Sequence, residues 1–96
     1  MVTPGHLLVL PMRHVADIFS MTETERHEDD DLVRVLQGRI RSEDRKVTGF
    51  NVGTNCGEAA GQTISHAHIH LIPRRNGDVP DPRGGVRGVI PEKRVY

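Results

Sequence analysis

Three histidines at alternate positions constrain the fold of this chain more than any other feature of its sequence. His66, His68 and His70 lie in the segment SHAHIHLI, where they alternate with apolar residues. Successive side chains of a β-strand point to opposite faces, so the three imidazoles would share one face and the apolar residues the other. The pattern therefore predicts a strand over residues 64–72 that ends at Pro73.

A row of imidazoles is costly in a protein core. Burial disfavours their charged form, and every ring nitrogen needs a partner, so a functional site is favoured over a structural role. Two chemistries fit this site. Neutral imidazoles on one face can bind zinc, and His-x-His pairs serve that purpose. Alternatively, one histidine attacks an electrophile while its neighbours set its tautomer and manage protons. The spacing alone leaves both open.

A glycine-rich loop leads directly into the histidines. It spans residues 53–61 and is followed by Gln62 and Thr63. Glycines let backbone N–H groups approach a phosphate, and Asn55 and Thr63 offer neutral donors. Beside an imidazole, such donors favour phosphoryl or nucleotidyl transfer, in which positioning and charge stabilisation do most of the work. Because no carboxylate cluster adjoins the loop in sequence, we expect a route through a phosphohistidine with no metal and no cofactor.

The remaining segments predict an α+β domain. Residues 6–10 and 47–52 have the character of strands, and Thr22 and Glu25 form a capping-box pattern ahead of a helix. The apolar residues at helical spacing are Leu32, Val33, Val35, Leu36 and Ile40. The acidic stretch at residues 28–31 is expected to be a solvated part of that helix. One main helix among strands with short connections predicts an antiparallel sheet.

Length and composition limit the class of protein. Ninety-six residues predict one domain, with a core over residues 5–75 and a loop and C-terminal tail over residues 76–96. Thirteen Lys and Arg balance thirteen Asp and Glu, which argues against a nucleic-acid or membrane-surface protein. A single cysteine, Cys56, excludes an internal disulfide. The start at Met1 lacks a signal-peptide pattern, and no apolar run could span a membrane. We therefore expect a cytoplasmic protein.

Taken together, these segments resemble the histidine-triad (HIT) family, whose hallmark is His-φ-His-φ-His-φ-φ with φ apolar. The motif lies at residues 66–72, within GQTISHAHIHLIPR at residues 61–74. GHLLVLP at residues 5–11, GFNVG at 49–53 and DPRGGVR at 81–87 also match, the last resembling the bacterial dinucleoside-polyphosphate hydrolase branch. The resemblance covers nearly the whole chain and implies a HIT-like antiparallel sheet.

The resemblance also implies a role for each site residue. His68 would be the nucleophile, attacking the α-phosphorus of a purine nucleotide to form a nucleotidyl-histidine that water hydrolyses. His66 and His70 would flank it, and His6 would be a fourth active-site histidine, whereas His14 is expected at the surface. The implied substrate-binding residues are Asn55, Gly61, Gln62 and Thr63. The implied substrates are phosphoramidates, acyl-nucleotides and dinucleoside polyphosphates such as diadenosine polyphosphates.

The sequence departs from the family ahead of His6. Family members carry a further segment there, which supplies a helix, a strand, an acidic residue for the ribose hydroxyls and much of the base pocket. Either Met1 is not the natural start, or another subunit completes the pocket, or the chain is an N-terminally truncated enzyme that keeps the phosphate chemistry with reduced rate and affinity. The alternative is a catalytically weak or inactive nucleotide-binding or interaction module. Because the family is typically homodimeric, a homodimer is expected here.

Overall fold

The computed structural model describes residues 2–95, and Met1 and Tyr96 lie outside that range. Its main elements are β1 (Leu7–Val9), α1 (Glu23–Glu43), β2 (Val47–Gly53) and β3 (Ile69–Arg75). The strands form an antiparallel sheet in the order β1-β3-β2, and α1 contacts all three. The predicted α+β class, with one main helix and an antiparallel sheet, is confirmed. None of the helical segments in the described range has the length and hydropathy of a membrane-crossing helix.

The N-terminus of α1 forms the predicted capping box. Glu25 N–H donates to Thr22 Oγ1 at 3.1 Å, and Thr22 N–H donates to Glu25 Oε1 at 2.8 Å. Arg13 lies 2.7 Å from the same carboxylate. These hydrogen bonds, first from Arg13 and then from the Thr22 backbone, lower the pKa of Glu25 to about 2. The cap satisfies backbone N–H groups that a helix N-terminus otherwise leaves open.

The buried face of α1 differs from the predicted apolar stripe. Leu32 is 45% exposed and Val35 is 59% exposed, whereas Val33 and Leu36 are half-buried. Asp29 is only 5% exposed, so the expectation that residues 28–31 are all solvated is wrong. Asp29 lies four residues before Val33 and seven before Leu36, which puts the three side chains on one helix face. Asp29 is therefore buried because it lies on the face of α1 that packs against the rest of the domain.

The core is small, and its apolar buried residues are Val9, Val15, Met21, Val47, Ala67 and Leu71. Leu71 has no exposed surface and lies at the middle of β3, paired with Leu7 and Val52. Full burial of a leucine side chain contributes about 1.5–3 kcal/mol. Because side chains alternate along a strand, the residue next to Leu71, His70, presents its ring to the opposite face. The central strand thus serves the core and the histidine site together.

The strand that carries the histidines begins later than predicted. β3 starts at Ile69, so His70 lies on it while His66 and His68 precede it. β2 ends beside this point, and the Thr54 hydroxyl donates to the His68 carbonyl at 2.6 Å. A side chain therefore holds the His68 carbonyl directly before β3 begins. The prediction that three imidazoles share one strand face is therefore wrong.

The same strand also ends later than predicted. β3 continues through Pro73 to Arg75, with Pro73 paired with Phe50 of β2. The pairing with β1 reaches only as far as Leu71. Pro73 thus lies where β3 has a strand on one side only, a position that tolerates a residue lacking an N–H group.

Candidate active site

Two histidines from neighbouring parts of the sheet form a hydrogen-bonded pair. His6 lies directly before β1, and its Nε2 is 2.9 Å from Nδ1 of His70 on β3. The Val2 N–H donates to His6 Nδ1 at 3.0 Å. Because a backbone N–H can only donate, Nδ1 of His6 is the acceptor, and the neutral ring carries its proton on Nε2. His6 therefore donates to His70, which keeps its own proton on Nε2.

Burial favours the neutral form of both rings of this pair. Burial lowers the pKa of His6. Burial also lowers the pKa of His70, and the nearby His68 and His6 rings lower it further. The hydrogen bond also excludes a state in which both rings are charged, because two imidazolium rings would have no acceptor between them. With these tautomers both acceptor nitrogens of the pair are already hydrogen-bonded, and the Nε2–H of His70 is left as its donor to a bound group.

His68 is anchored through one ring nitrogen, and its other ring nitrogen has no hydrogen-bond partner among residues 2–95. The residue is 8% exposed, and its Nδ1 lies 2.8 Å from the His66 carbonyl. Because a carbonyl only accepts, Nδ1 carries the proton and Nε2 keeps its lone pair. The His70 ring lies edge-on to His68, with ring centroids 5.0 Å apart. A neutral imidazole with one nitrogen anchored and the other free has the arrangement that nucleophilic catalysis requires.

His66 contacts the segment that follows β1 rather than the His6–His70 pair. Its Nε2 lies 3.2 Å from the Pro11 carbonyl, and its ring meets His14 edge-on with centroids 4.8 Å apart. His14 is exposed, as predicted, but it contacts the first histidine of the motif. The structure thus clusters the rings of the other three predicted histidines and joins His66 to them through its backbone carbonyl.

A cavity of about 330 Å³ adjoins the histidine pair. Its polar lining includes His6, His70 and Asn55, and its apolar lining includes Val86 and Val89 from the C-terminal segment. Asn55, predicted to contact phosphate, therefore lies beside two predicted catalytic residues. The nucleophile candidate does not itself line this cavity, but its ring contacts that of His70, which does.

Gln62 holds the glycine-rich loop in shape. Its Oε1 accepts the Gly57 N–H at 2.8 Å, and its Nε2 donates to the carbonyls of Ala16 at 2.6 Å and Ile64 at 3.0 Å. Each polar atom of the amide is thus engaged by the backbone, which gives Gln62 a positioning role. Its predicted contact with substrate stays a prediction.

Gly61 and Thr63 lie on an exposed part of the same loop. Gly61 follows the 3₁₀ turn Glu58–Ala60 with a φ of +91°, a left-handed conformation that favours glycine. Neither residue lines the cavity beside the histidine pair. Their predicted contacts with phosphate therefore stay predictions.

Thr54 is a site residue that sequence reasoning missed. It lines the cavity, and its hydroxyl fixes the carbonyl of His68. The position of Thr54 in the sequence could have indicated this role. Thr54 follows the last residue of β2, Gly53, which pairs with His70 in the antiparallel register. A hydroxyl placed directly after such a strand end is adjacent to the residues that precede β3.

The histidine cluster does not have the arrangement of a metal site. Among residues 2–95, no three His, Cys, Asp or Glu side chains are grouped so as to bind one metal ion. The ring nitrogens of His6 and His70 that face each other share a hydrogen bond. The expectation of a metal-independent route stays a prediction.

Comparison with protein families decides the ancestry of the site. Residues 2–77 match the family described as "HIT domain", which is well over half of the chain. The chain belongs to the histidine-triad family. The predicted recognition, from the motif at residues 66–72 and the matching segments around it, is confirmed.

Relatives of this HIT protein include enzymes with named activities. It is 38% identical over 80 residues to "AP-4-A phosphorylase" of Mycobacterium tuberculosis, covering 78% of this chain and 38% of that protein. It is 35% identical over 77 residues to "Bis(5'-nucleosyl)-tetraphosphatase [asymmetrical]" of Schizosaccharomyces pombe, covering 80% of this chain and 42% of that protein. The chain thus spans about two fifths of the length of these two curated relatives.

Solved structures of HIT proteins share the fold. A HIT family protein from Bacillus anthracis gives a TM-score of 0.73 at 43% identity, covering 77% of this chain and 52% of that chain. A zinc-bound histidine triad family protein from Mycobacterium smegmatis gives a TM-score of 0.73 at 32% identity, covering 83% of this chain and 62% of that chain. The helix and three-stranded sheet therefore correspond to part of the HIT fold.

Proposed function

We propose that this HIT domain catalyses nucleotidyl transfer at the α-phosphorus of purine nucleotides, with His68 as the nucleophile. The observation that carries the proposal is the fixed tautomer of His68, whose Nδ1–H donates to the His66 carbonyl and leaves Nε2 free. A neutral imidazole of this kind can attack phosphorus without first losing a proton. The neighbouring His6–His70 pair and Asn55 supply hydrogen-bonding groups for the phosphate.

The proposed reaction has two steps. His68 Nε2 forms a bond to the α-phosphorus, and the bond from phosphorus to the leaving group breaks with its electron pair going to that group. Diadenosine tetraphosphate would lose ATP in this step, whereas a phosphoramidate would lose ammonia after its nitrogen gains a proton from solvent, which the second step returns. In the second step, water bonds to phosphorus and releases a proton, and the P–N electron pair returns to His68. The products are the nucleoside monophosphate and the free histidine.

The names of the relatives support dinucleoside polyphosphates as substrates. One relative is named as a phosphorylase of AP-4-A and another as an asymmetrical bis(5'-nucleosyl)-tetraphosphatase. The two names differ in the acceptor, which is phosphate in a phosphorylase and water in a hydrolase. A nucleotidyl-histidine intermediate accommodates both, because the second step can use either acceptor. We propose water as the acceptor here, in a cytoplasmic homodimer.

A zinc-dependent site is the second candidate, because a relative has been solved as a zinc-bound protein. It predicts stoichiometric zinc in the purified protein and activity that chelation removes. A catalytically inactive nucleotide-binding module is the third candidate. It predicts nucleotide binding without turnover, unaffected by substitution of His68.

Turnover in the presence of EDTA tests the proposal. The substrates are adenosine 5'-phosphoramidate and diadenosine tetraphosphate, and the proteins are the wild type, His68→Ala and His27→Ala. His27 is an exposed histidine on α1 and serves as the matched control. We expect EDTA-resistant turnover by the wild type and by His27→Ala, and a loss of at least about 10³-fold in His68→Ala, as for removal of a catalytic nucleophile.

Intact-mass analysis of wild-type protein during turnover adds a direct test, because the proposal requires an adenylyl adduct on His68. Equal rates in His68→Ala and wild type would overturn the proposed nucleophile. Loss of wild-type activity on EDTA treatment, restored by zinc, would favour the second candidate.

A further inference from the structure

The C-terminal residues 81–94, here called the C-terminal lobe, are closed on themselves by two guanidinium groups. Arg94 donates to the carbonyls of Arg83 at 3.0 Å and Asp81 at 3.4 Å, and it lies 3.4 Å from the Asp81 carboxylate. Arg87 donates twice to the Lys93 carbonyl, at 2.7 and 3.0 Å. Charge-assisted hydrogen bonds to carbonyl groups give this irregular segment a defined shape.

The lobe contains a backbone crossing that only glycine permits, and it packs against β2. A Cβ on Gly84 would lie 1.7 Å from the Arg94 carbonyl oxygen, and Gly84 has a φ of +91°. A Cβ on the next residue, Gly85, would lie 3.4 Å from Nδ2 of Asn51 on β2. Asn51 is itself held by Arg74, which donates to its Oδ1 at 2.6 Å. The lobe is therefore held in a defined position against β2.

This position places two valines at the histidine site. Val86 is 62% exposed and Val89 is 76% exposed, and both line the cavity that His6 and His70 line. Exposed apolar side chains fixed beside polar ones gain free energy when a ligand covers them. The cavity volume of about 330 Å³ lies near the lower end of the ~300–1,000 Å³ range of ligand pockets, a size that suits one nucleoside.

The leaving-group side of the proposed reaction is the side away from His68. In an in-line displacement at phosphorus, the leaving group departs opposite the attacking atom. The cavity is lined by the His6–His70 pair and not by His68, which carries the attacking nitrogen. A group that occupies the cavity therefore contacts the His6–His70 pair and not His68.

We propose that Val86 and Val89 contact the base of a nucleotide leaving group. They would thereby set a preference for dinucleoside polyphosphates over substrates with small leaving groups. The proposal rests on the proposed function and extends it to the class of leaving group. Val52, 48% exposed, and Ile72 also line the cavity and extend the same apolar surface.

Steady-state kinetics with two substrates that share the adenylyl group test the proposal. Diadenosine tetraphosphate has ATP as its leaving group, and adenosine 5'-phosphoramidate has ammonia. We expect Val86→Ser combined with Val89→Ser to raise KM for diadenosine tetraphosphate about tenfold, the lower end of the effect of removing one methylene-sized contact. KM for the phosphoramidate, whose leaving group has no base to contact the valines, should change several-fold less than KM for diadenosine tetraphosphate. Val95→Ser is the control, because Val95 is 46% exposed and lines no part of this cavity.

Two further measurements separate this proposal from the proposed function. Gly84→Ala, which displaces the lobe, should reproduce the selective effect while circular dichroism reports an intact fold. Calorimetric binding of ATP should weaken in the Val86→Ser, Val89→Ser variant and not in Val95→Ser, whether or not turnover occurs. Equal losses on both substrates, or no change in KM and ATP binding, would overturn the role of the lobe. Absence of turnover by wild type, with ATP binding still dependent on the valines, would overturn the proposed function alone.

Discussion

Replacing Asp29 with Asn should stabilise the protein at neutral pH. Asp29 is 5% exposed, and its Oδ2 is buried without a hydrogen-bond partner among the described residues. Burial raises the pKa of Asp29, and the nearby carboxylates of Glu25 and Glu28 raise it further. Asn has nearly the same shape and no charge, so the substitution removes the cost of an ionised group in this position.

The expected size follows from the burial. Leaving a buried polar group unpaired costs about 1–3 kcal/mol, and more when the group is charged. Asn recovers part of this cost, because its amide is neutral but still polar, so we expect Asp29→Asn to add about 1 kcal/mol at pH 7. A change of about 1 kcal/mol shifts the Tm of a domain of this size by roughly 4–8 °C.

The pH dependence has a defined sign. The folded-state pKa of Asp29 lies above its unfolded value, which is about 3.9. The protonated form is therefore compatible with the fold, and stability is lost as pH rises through the folded-state pKa. The stability gained by Asp29→Asn should accordingly be present at pH 7. It should be absent at pH below about 3.9, where the wild-type carboxyl group is protonated in both the folded and the unfolded state.

Urea unfolding at pH 7 and pH 3.5 measures both effects. Asp30→Asn is the control, because Asp30 is the next residue on α1, its side chain is 62% exposed, and it pairs with Arg34. Loss of such an exposed pair costs only about 0.3–0.5 kcal/mol. A less stable Asp29→Asn at pH 7, or a gain that is equally large at the lower pH, would refute the reasoning.

Other predictions follow from the helix and the histidine pair. Gly38→Ala should raise the free energy of unfolding by about 1 kcal/mol in urea titrations, because Ala is a better helix former than Gly and its Cβ would meet nothing within 4 Å. A lower free energy of unfolding would contradict this prediction. Thr22→Ala should lower it by about 1 kcal/mol through loss of the cap, whereas Thr24→Ala, on the exposed first turn, should not. Because burial lowers the pKa values of His6 and His70, the part of the pH–rate profile that reports protonation of this pair should have its midpoint below 6.5, their ordinary value; a midpoint above 6.5 for the pair would contradict this.

Local signals in the sequence predicted the parts of the fold that local interactions determine. The capping box at Thr22 and Glu25 marked the start of α1 because its hydrogen bonds join residues three apart. The limits of β3 were wrong because they depend on contacts between distant segments. The Thr54 hydroxyl donates to the His68 carbonyl, and the Ala67 N–H donates to the Val15 carbonyl at 2.7 Å. No periodicity in the histidine segment reports such partners.

The site was predicted in composition more than in arrangement. The resemblance to the family implied that His6 belongs to the site, and the register of β1 and β3, in which His70 pairs with Leu8, explains why His6 lies diagonally beside His70. The tautomer of His68 depends on the geometry of one backbone carbonyl, and the position of Val86 depends on how the C-terminal lobe folds. The spacing of residues in the sequence predicts neither the tautomer of His68 nor the position of Val86. Burial of Asp29 was missed because its polarity was given more weight than its position on the helix.

The closed shape of the C-terminal lobe has a consequence for its local unfolding. The Gly84 crossing and the two guanidinium groups join its first and last residues, so the segment cannot fray residue by residue from its end. Opening must instead be cooperative, and the lobe amides should exchange their hydrogens with a common free energy of opening. The lobe is then either closed or open as a whole. A ligand that contacts Val86 and Val89 favours the closed state, so it would slow amide hydrogen exchange across the whole lobe.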